Sequence, residues 1–317
     1  MGIRDKSPIM RRLILPVFTG AVCLLATADC TTLANLCPPE EVRFGFFSKG
    51  DCALTRASFF QGHEWLTFFG NEDLPKSARF TDAEVLAIAD GNRRVDWPKE
   101  LLVHLNNSIV AYADAVTEYT ERPENQKLHF MLTPTNTSEE AAHDAIEEIR
   151  RVTVEALVMW NEKRTRALTL IGRANHTLQD SFCHAHAVRE PANDWCIRKL
   201  KSYVRRAPGY DTPDIEYHGG QDDSIGHATT EDSIYRQGRD CHEPETRAEV
   251  AACLSDEAHR AIVATRDYLA LVRRAVAAAA QTGQSGELSD EEARAAIEDI
   301  VDQEFDPYVA EHLSMCE

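Results

Sequence analysis

Three observations predict an all-α fold, a multi-helix bundle. Apolar residues recur at helical spacing along most of the chain. Ser, Thr or Pro stands where such runs begin. Neither a convincing strand series nor an internal repeat interrupts them. The 317 residues suit a single large domain or one domain plus a small appendage, and 43% hydrophobic with 27% charged residues is ordinary globular composition.

The elements follow in order. Residues 1–28 read as a secretory signal peptide: a basic start "MGIRDKSPIMRR", an apolar run "LILPVFTGAVCLL" and a small-x-small cleavage site at Ala26, Thr27 and Ala28. The apolar run is too short for a membrane span. The segment addresses the chain to a secreted or periplasmic location. Lipoprotein anchoring at Cys30 is the alternative, and Asp29 just before it counts against that processing. Residues 29–60 form an irregular cysteine-bearing segment. Its aromatic clusters Phe44, Phe46, Phe47 and Phe59, Phe60 read as buried core or, alternatively, as groups that dip into a lipid interface.

Residues 61–317 read as a single all-α domain. Helical patterning starts near "HEWLTFFG". "TDAEVLAIADGN" is a short helix with Thr81 as N-cap and Gly91 as stop. "PKELLVHLNNSIVAYADAVTEY" opens with Pro98 at a first-turn position. The stretch from "SEEAAHDAIEEIRR" to "ANHTLQDSF" makes two helices. Residues 189–225, rich in Pro, Gly and Asp, read as a loop insertion. Two further helices, each with a Ser N-cap, are expected at "DEAHRAIVATRDYLALVRRAVAAAAQT" and "SDEEARAAIEDIVDQEF".

Net charge is −18, and the signal segment removes four basic residues and one acidic residue. A chain so acidic repels phosphate backbones unless cations sit in its site, and bound metal ions would supply them. Of nine cysteines, removal of Cys23 leaves Cys30, Cys37, Cys52, Cys183, Cys196, Cys241, Cys253 and Cys316. An even count in an exported protein suggests up to four disulfides with the pairing open, or several buried thiols.

The chemistry-bearing stretch is "ANHTLQDSFCHAHA", residues 174–187. His176 and Asp180 are four apart, hence on one helical face a turn apart, and His186 follows just past the expected helix end. His227 and Glu231 repeat the spacing in "GHATTED". Two ligands so placed can grip one ion, and imidazole nitrogen with carboxylate oxygen suits Zn²⁺. A lone pair at this spacing is also a common capping or surface hydrogen bond. His184 reads as a bystander; His104, His143, His259 and His312, among charged neighbours, read as solvated surface. His218 and His242 fit either use.

The pattern His-x3-Asp-x5-His followed by Gly-His-x3-Glu resembles the zinc-dependent phospholipase C family, which shares its fold with the P1-type nucleases. Ala187 after the last histidine also matches. The resemblance spans roughly residues 60–235 and implies an all-α domain with a zinc cluster of two or three ions in a cleft. "GHEWLT" resembles the helix carrying an early histidine, here His63. "GNRRVDWP" resembles the segment carrying an aspartate, here Asp96, with Asp90 the alternative. "QKLHFML" resembles the following His-Phe and yields His129. The implied ligand sets are Asp96, His129, His176 and Asp180 for one zinc, His186, His227 and Glu231 for a second, and His63 with a bridging Asp180 for the third.

Two departures matter. The family completes its third site with an N-terminal tryptophan about a dozen residues before the early histidine, whereas Gly50 stands thirteen before His63. The gaps from Asp96 to His129 and from His186 to His227 are also longer than usual, the second containing "YDTPDIEYHGGQDD".

The function implied is a metal-dependent hydrolase, a phospholipase C. It would act as a monomer on phospholipid at a membrane or micelle surface, with Asp96 as general base and Asp222 or Asp223 favouring a cationic head group. The alternatives are a P1-type single-strand nuclease acting on nucleic acid and a non-catalytic secreted module with structural zinc. Glu231, where the nucleases carry Asp, and the missing tryptophan lean toward the phospholipase.

Overall fold

The computed structural model describes residues 62–96, 122–133, 135–183, 186–201, 254–283 and 290–316, with a few isolated positions between them. Among these the architecture is helical: α1 (Gly62–Asp73), α2 (Asp82–Asp96), a short α3 (Pro123–Gln126) running into a 3-10 turn (Lys127–His129), α4 (Ser138–Val158), α5 (Arg164–Asp180), α6 (Asp256–Gly283) and α7 (Asp290–His312). Residues 1–60 and 202–250, and with them the expected signal segment, Cys30, Asp222, Asp223, His227 and Glu231, lie outside the described residues.

Local signals account for the helix starts. Thr81 caps α2: its backbone N–H donates to Glu84 Oε2 at 2.9 Å, and its hydroxyl accepts from the Glu84 N–H. Thr137 and Glu140 form the same reciprocal box at α4, and Ser255 accepts the Ala258 N–H at the start of α6. The long stretch from residue 138 to 180 divides into α4 and α5 as expected.

α5 is the hub and packs against α1, α2, α4 and α6. Every residue of α5 from Ala174 to Asp180 is buried, as is every residue of α1 from His63 to Asn71. Both helices therefore lack a solvent face there. The apolar core runs through Trp65, Ile88, Ile149, Leu178, Leu269 and Phe305. Near it, Tyr268 is fully buried with its hydroxyl 2.8 Å from Thr153 Oγ1.

Gly91 does not stop α2, which continues to Asp96. Its role is packing. A Cβ at Gly91 would stand 2.1 Å from the Thr169 carbonyl oxygen, and one at Gly172 would stand 1.9 Å from that of Ile88. The two glycines let α2 and α5 cross backbone to backbone. That crossing brings Asn92 against His176.

The segment after α5 is not wholly a loop. β1 (Ala187–Glu190) pairs antiparallel with β2 (Cys196–Leu200) across a 3-10 turn at Pro191–Asn193. The signal is local: "AVRE" and "CIRKL" are too short to show a period. β2 also carries the C-terminal tail, through a parallel bridge from Ile197 to Met315 and the Cys196–Cys316 disulfide. Arg189 locks this corner. It donates to the Ser181, Trp195 and His312 carbonyls, and stacks on Phe182. Burial pulls its pKa down to about 9, so it remains a cation at neutral pH.

Candidate metal centre

Five residues singled out in the sequence converge. Asp180, at the C-terminal end of α5, is fully buried with four imidazoles around it. His63 Nε2, from α1, lies 3.0 Å from Asp180 Oδ1. On the other oxygen, Oδ2, His176 Nε2 stands at 3.0 Å, His129 Nδ1 at 3.1 Å and His186 Nδ1 at 3.4 Å. His176 Nε2 and His129 Nδ1 are themselves 3.2 Å apart, and the His63 and His176 ring centroids are 4.2 Å apart. His63, His176 and Asp180 bring their ligand atoms within 4.8 Å of one another, so the group could hold a metal ion.

Each side chain arrives by a distinct local device. His176 and Asp180 share one face of α5 by their spacing. His129 ends the 3-10 turn, and Phe130 follows in the left-handed region at φ 53°, fully buried, which swings the chain away immediately after the histidine. A bulky residue at that φ is strained, a feature that clusters at functional sites. His186 follows a turn closed by its N–H to the Cys183 carbonyl, and its own carbonyl accepts the Lys201 N–H at 2.8 Å.

Three of the rings have an oxygen partner at Nδ1. His63 Nδ1 meets Gln179 Oε1 at 2.9 Å, His176 Nδ1 meets Asn92 Oδ1 at 3.0 Å, and His186 Nδ1 meets the His129 carbonyl at 2.7 Å. An oxygen acceptor at Nδ1 requires the proton there. In His63 and His176 the Nε2 lone pair then faces Asp180. This outer support is the arrangement that orients metal-ligating imidazoles.

Electrostatics agree with the geometry. Burial alone would raise the Asp180 pKa, but His176, His186 and His63 and a hydrogen bond from His129 outweigh it. The carboxyl is held well below its usual range. Burial pushes His176 down to about 3 against the pull of Asp180, with His63 and His129 adding to the fall. An ionised carboxylate beside a neutral imidazole is the protonation state a metal requires. Asp180 Oδ1 accepts no hydrogen bond among the described residues, although His63 Nε2 is 3.0 Å away. A buried anionic carboxylate with imidazole nitrogens on both of its oxygens is a donor set that a cation fits.

The other candidates divide. Asp96 lies at the end of α2, one turn beyond Asn92, and its side chain lies outside the described residues. The Asp90 carboxylate is committed to two guanidinium groups: it pairs with Arg93 at 3.0 Å and with Arg94. His184, His227 and Glu231 are outside the described residues. His143 and His259 are exposed, as expected. His312 is not the solvated residue expected: it is 9% exposed, with Nε2 3.2 Å from Asp267 Oδ2. Its neighbours on α7 look charged in sequence, but the C-terminal turn of that helix packs onto α6.

Sequence reasoning missed Thr67, Asn92, Asn175, Gln179 and Thr265, which link into one buried network behind the imidazoles. Polar residues beside His176 and Asp180 look like a solvent face in sequence. Only the burial of α5 on all sides distinguishes them. No family model, curated protein or solved structure matches this chain.

Proposed function

We propose that the chain is an exported zinc-dependent phosphodiester hydrolase, a phospholipase C that cleaves glycerophospholipids. The observation that carries this reading is the division of the Asp180 carboxylate. One oxygen faces His63 and the other faces His129 and His176. A carboxylate shared in this way suits a bridge between two cations, as the resemblance to the phospholipase C family implies. His227, Glu231 and Asp96 would complete the ligand sets.

When bound, zinc supplies Lewis acidity that makes water a competent nucleophile near neutral pH and offsets charge on phosphoryl oxygens. The chain's own residues do the rest. Asn92, Gln179 and the His129 carbonyl keep the proton on Nδ1 of His176, His63 and His186. Burial of the cluster and of the polar network behind it strengthens its electrostatics. Asp96 would accept the proton of the attacking water. Cleavage of the phosphorus–oxygen bond to glycerol would release diacylglycerol and a phosphorylated head group.

The deciding experiment assays the mature protein on phosphatidylcholine vesicles and on single-stranded DNA, before and after chelation and zinc return. Zinc-dependent release of phosphocholine supports the proposal. Robust DNA cleavage with inert vesicles points to the P1-type nuclease instead. Fewer than two zinc ions per chain with neither activity points to a metal-stapled module.

A further inference from the structure

Asn92 and Gln179 serve the imidazoles only if their amide oxygens face the rings. An amide turned over would present NH₂ to Nδ1, and the ring proton would have to move to Nε2, where a metal must bind. Something must therefore set the amide orientation.

Thr67 is placed to do so. Its hydroxyl proton goes to the His63 carbonyl at 2.8 Å. With that proton committed, the oxygen can only accept. Three amide nitrogens converge on it: Asn175 Nδ2 at 2.8 Å, Gln179 Nε2 at 3.2 Å and Asn92 Nδ2 at 3.3 Å. Asn92 Nδ2 also donates to Gln179 Oε1 at 2.9 Å, and Gln179 Nε2 donates to Thr265 Oγ1 at 3.0 Å. Turning Gln179 would set its oxygen against the Thr67 oxygen, and turning Asn92 would set its oxygen against Gln179 Oε1. Asn175 Oδ1 is buried without a hydrogen-bond partner among the described residues, and its nitrogen lies on Thr67. Thr67, Asn92, Asn175 and Gln179 are all at most 5% exposed, so water does not compete.

We infer that Thr67 is a positioning residue that sets the tautomers of His63 and His176 through Gln179 and Asn92, and thereby readies both rings for a metal. The relay is directional. Thr67 Oγ–H points to the His63 carbonyl, so amide nitrogens face Thr67, amide oxygens face the imidazoles, protons sit on Nδ1 and the Nε2 lone pairs face Asp180. Through Gln179, which Thr265 also holds, the Thr67 hydroxyl thus reaches two rings on different helices. The tautomer assignment is a property of the apo chain; its consequence for metal rests on the hydrolase reading above.

The test uses the mature full chain. Nitrogen-15 NMR of the metal-free wild type should find the proton on Nδ1 of both His63 and His176; Nε2–H at either ring in the folded wild type overturns the inference. In Thr67→Val, which removes the hydroxyl at near-constant shape, both rings should gain Nε2–H. Zinc affinity, measured by chelator competition, should fall by about 10–100-fold, the range for losing the outer partners of metal ligands. Thr67→Ser should retain the wild-type tautomers and affinity. Wild-type tautomers and affinity in a folded Thr67→Val, or equal damage in Thr67→Ser, overturn the proposal. The wild-type measurement stands even where Thr67→Val does not fold. A wild type with the expected tautomers that binds no zinc supports the tautomer inference while ending the hydrolase reading.

Discussion

Two regions place a histidine against a carboxylate, and they differ in what else surrounds the acid. Around Asp180 the neighbours are imidazoles, all buried. Around Asp267, which lies near His312 and Glu311, Arg266 has already taken both oxygens, at 2.7 and 2.9 Å. Both groups bring ligand atoms within 4.8 Å of one another. Proximity alone therefore does not distinguish a metal centre. Charge balance does: a guanidinium satisfies the Asp267 carboxylate permanently, whereas neutral imidazoles leave Asp180 with an unbalanced charge in a place water cannot reach.

The sharpest way to break this comparison is Asp180→Asn. It should cut zinc affinity by more than about 100-fold, beyond the loss expected for an outer partner, while Asp267→Asn leaves zinc per chain unchanged. Metal analysis after equilibrium dialysis measures both. Equal losses in the two variants would erase the distinction.

Next in size is Gly172→Ala. Its Cβ would meet the Ile88 carbonyl at 1.9 Å and the Asn92 nitrogen at 2.7 Å, and neither is a flexible side-chain end. The expected destabilisation is about 3 kcal/mol, the upper range for overpacking, read by denaturant unfolding. Because α2 is pushed off α5, zinc affinity should fall as well. Gly70→Ala, which meets Thr265 Cγ2 at 2.6 Å, should leave the Asn92–His176 contact intact.

Acid separates the two regions by pH. The unfolded His176 imidazole takes up its proton near 6.5, while in the fold it stays neutral to about 3. The unfolded state binds more protons in that window, so stability of the metal-free protein falls as pH drops through it, by about 1 kcal/mol per pH unit. At Asp267 burial opposes ionisation, but hydrogen bonds from His312 and Arg266 outweigh it and bring the pKa to about 2. Its contribution is present above 3.8 and lost only as pH falls toward 2. The slope of stability against pH between 7 and 4 should therefore report the Asp180 cluster, and Asp267→Asn should lower stability across that window without changing the slope.

The smallest effect belongs to Arg266→Gln. The pair is partly exposed, so the stability cost should be about 1 kcal/mol or less. Removing the guanidinium frees Asp267, and zinc titration would then reveal whether His312 and Glu311 can recruit a weakly held ion.

Much of the fold was legible because its signals are local. Thr81 and Thr137 announce their helices through a Glu three residues on, and Ser255 caps α6. Gly91 misled because a glycine that ends a helix and one that admits a neighbouring backbone look alike in sequence. The Ala187–Leu200 hairpin escaped because four or five residues carry too little periodicity. His312 misled because charged neighbours along a helix do not reveal which face is covered.

By itself the sequence determined where α2, α4 and α6 begin and that His176 and Asp180 share a face, since both follow from interactions within a few residues. Tertiary structure alone decided that His63, His129 and His186 meet that face, and that Thr67, Asn92 and Gln179 stand behind it. His63 and Gln179 are 116 residues apart, and Thr67 and Asn175 are 108 apart. Proton positions on the rings depend on those distant partners. A pattern of residue types records which groups can donate or accept, but only the packing of α1, α2 and α5 decides which of them do.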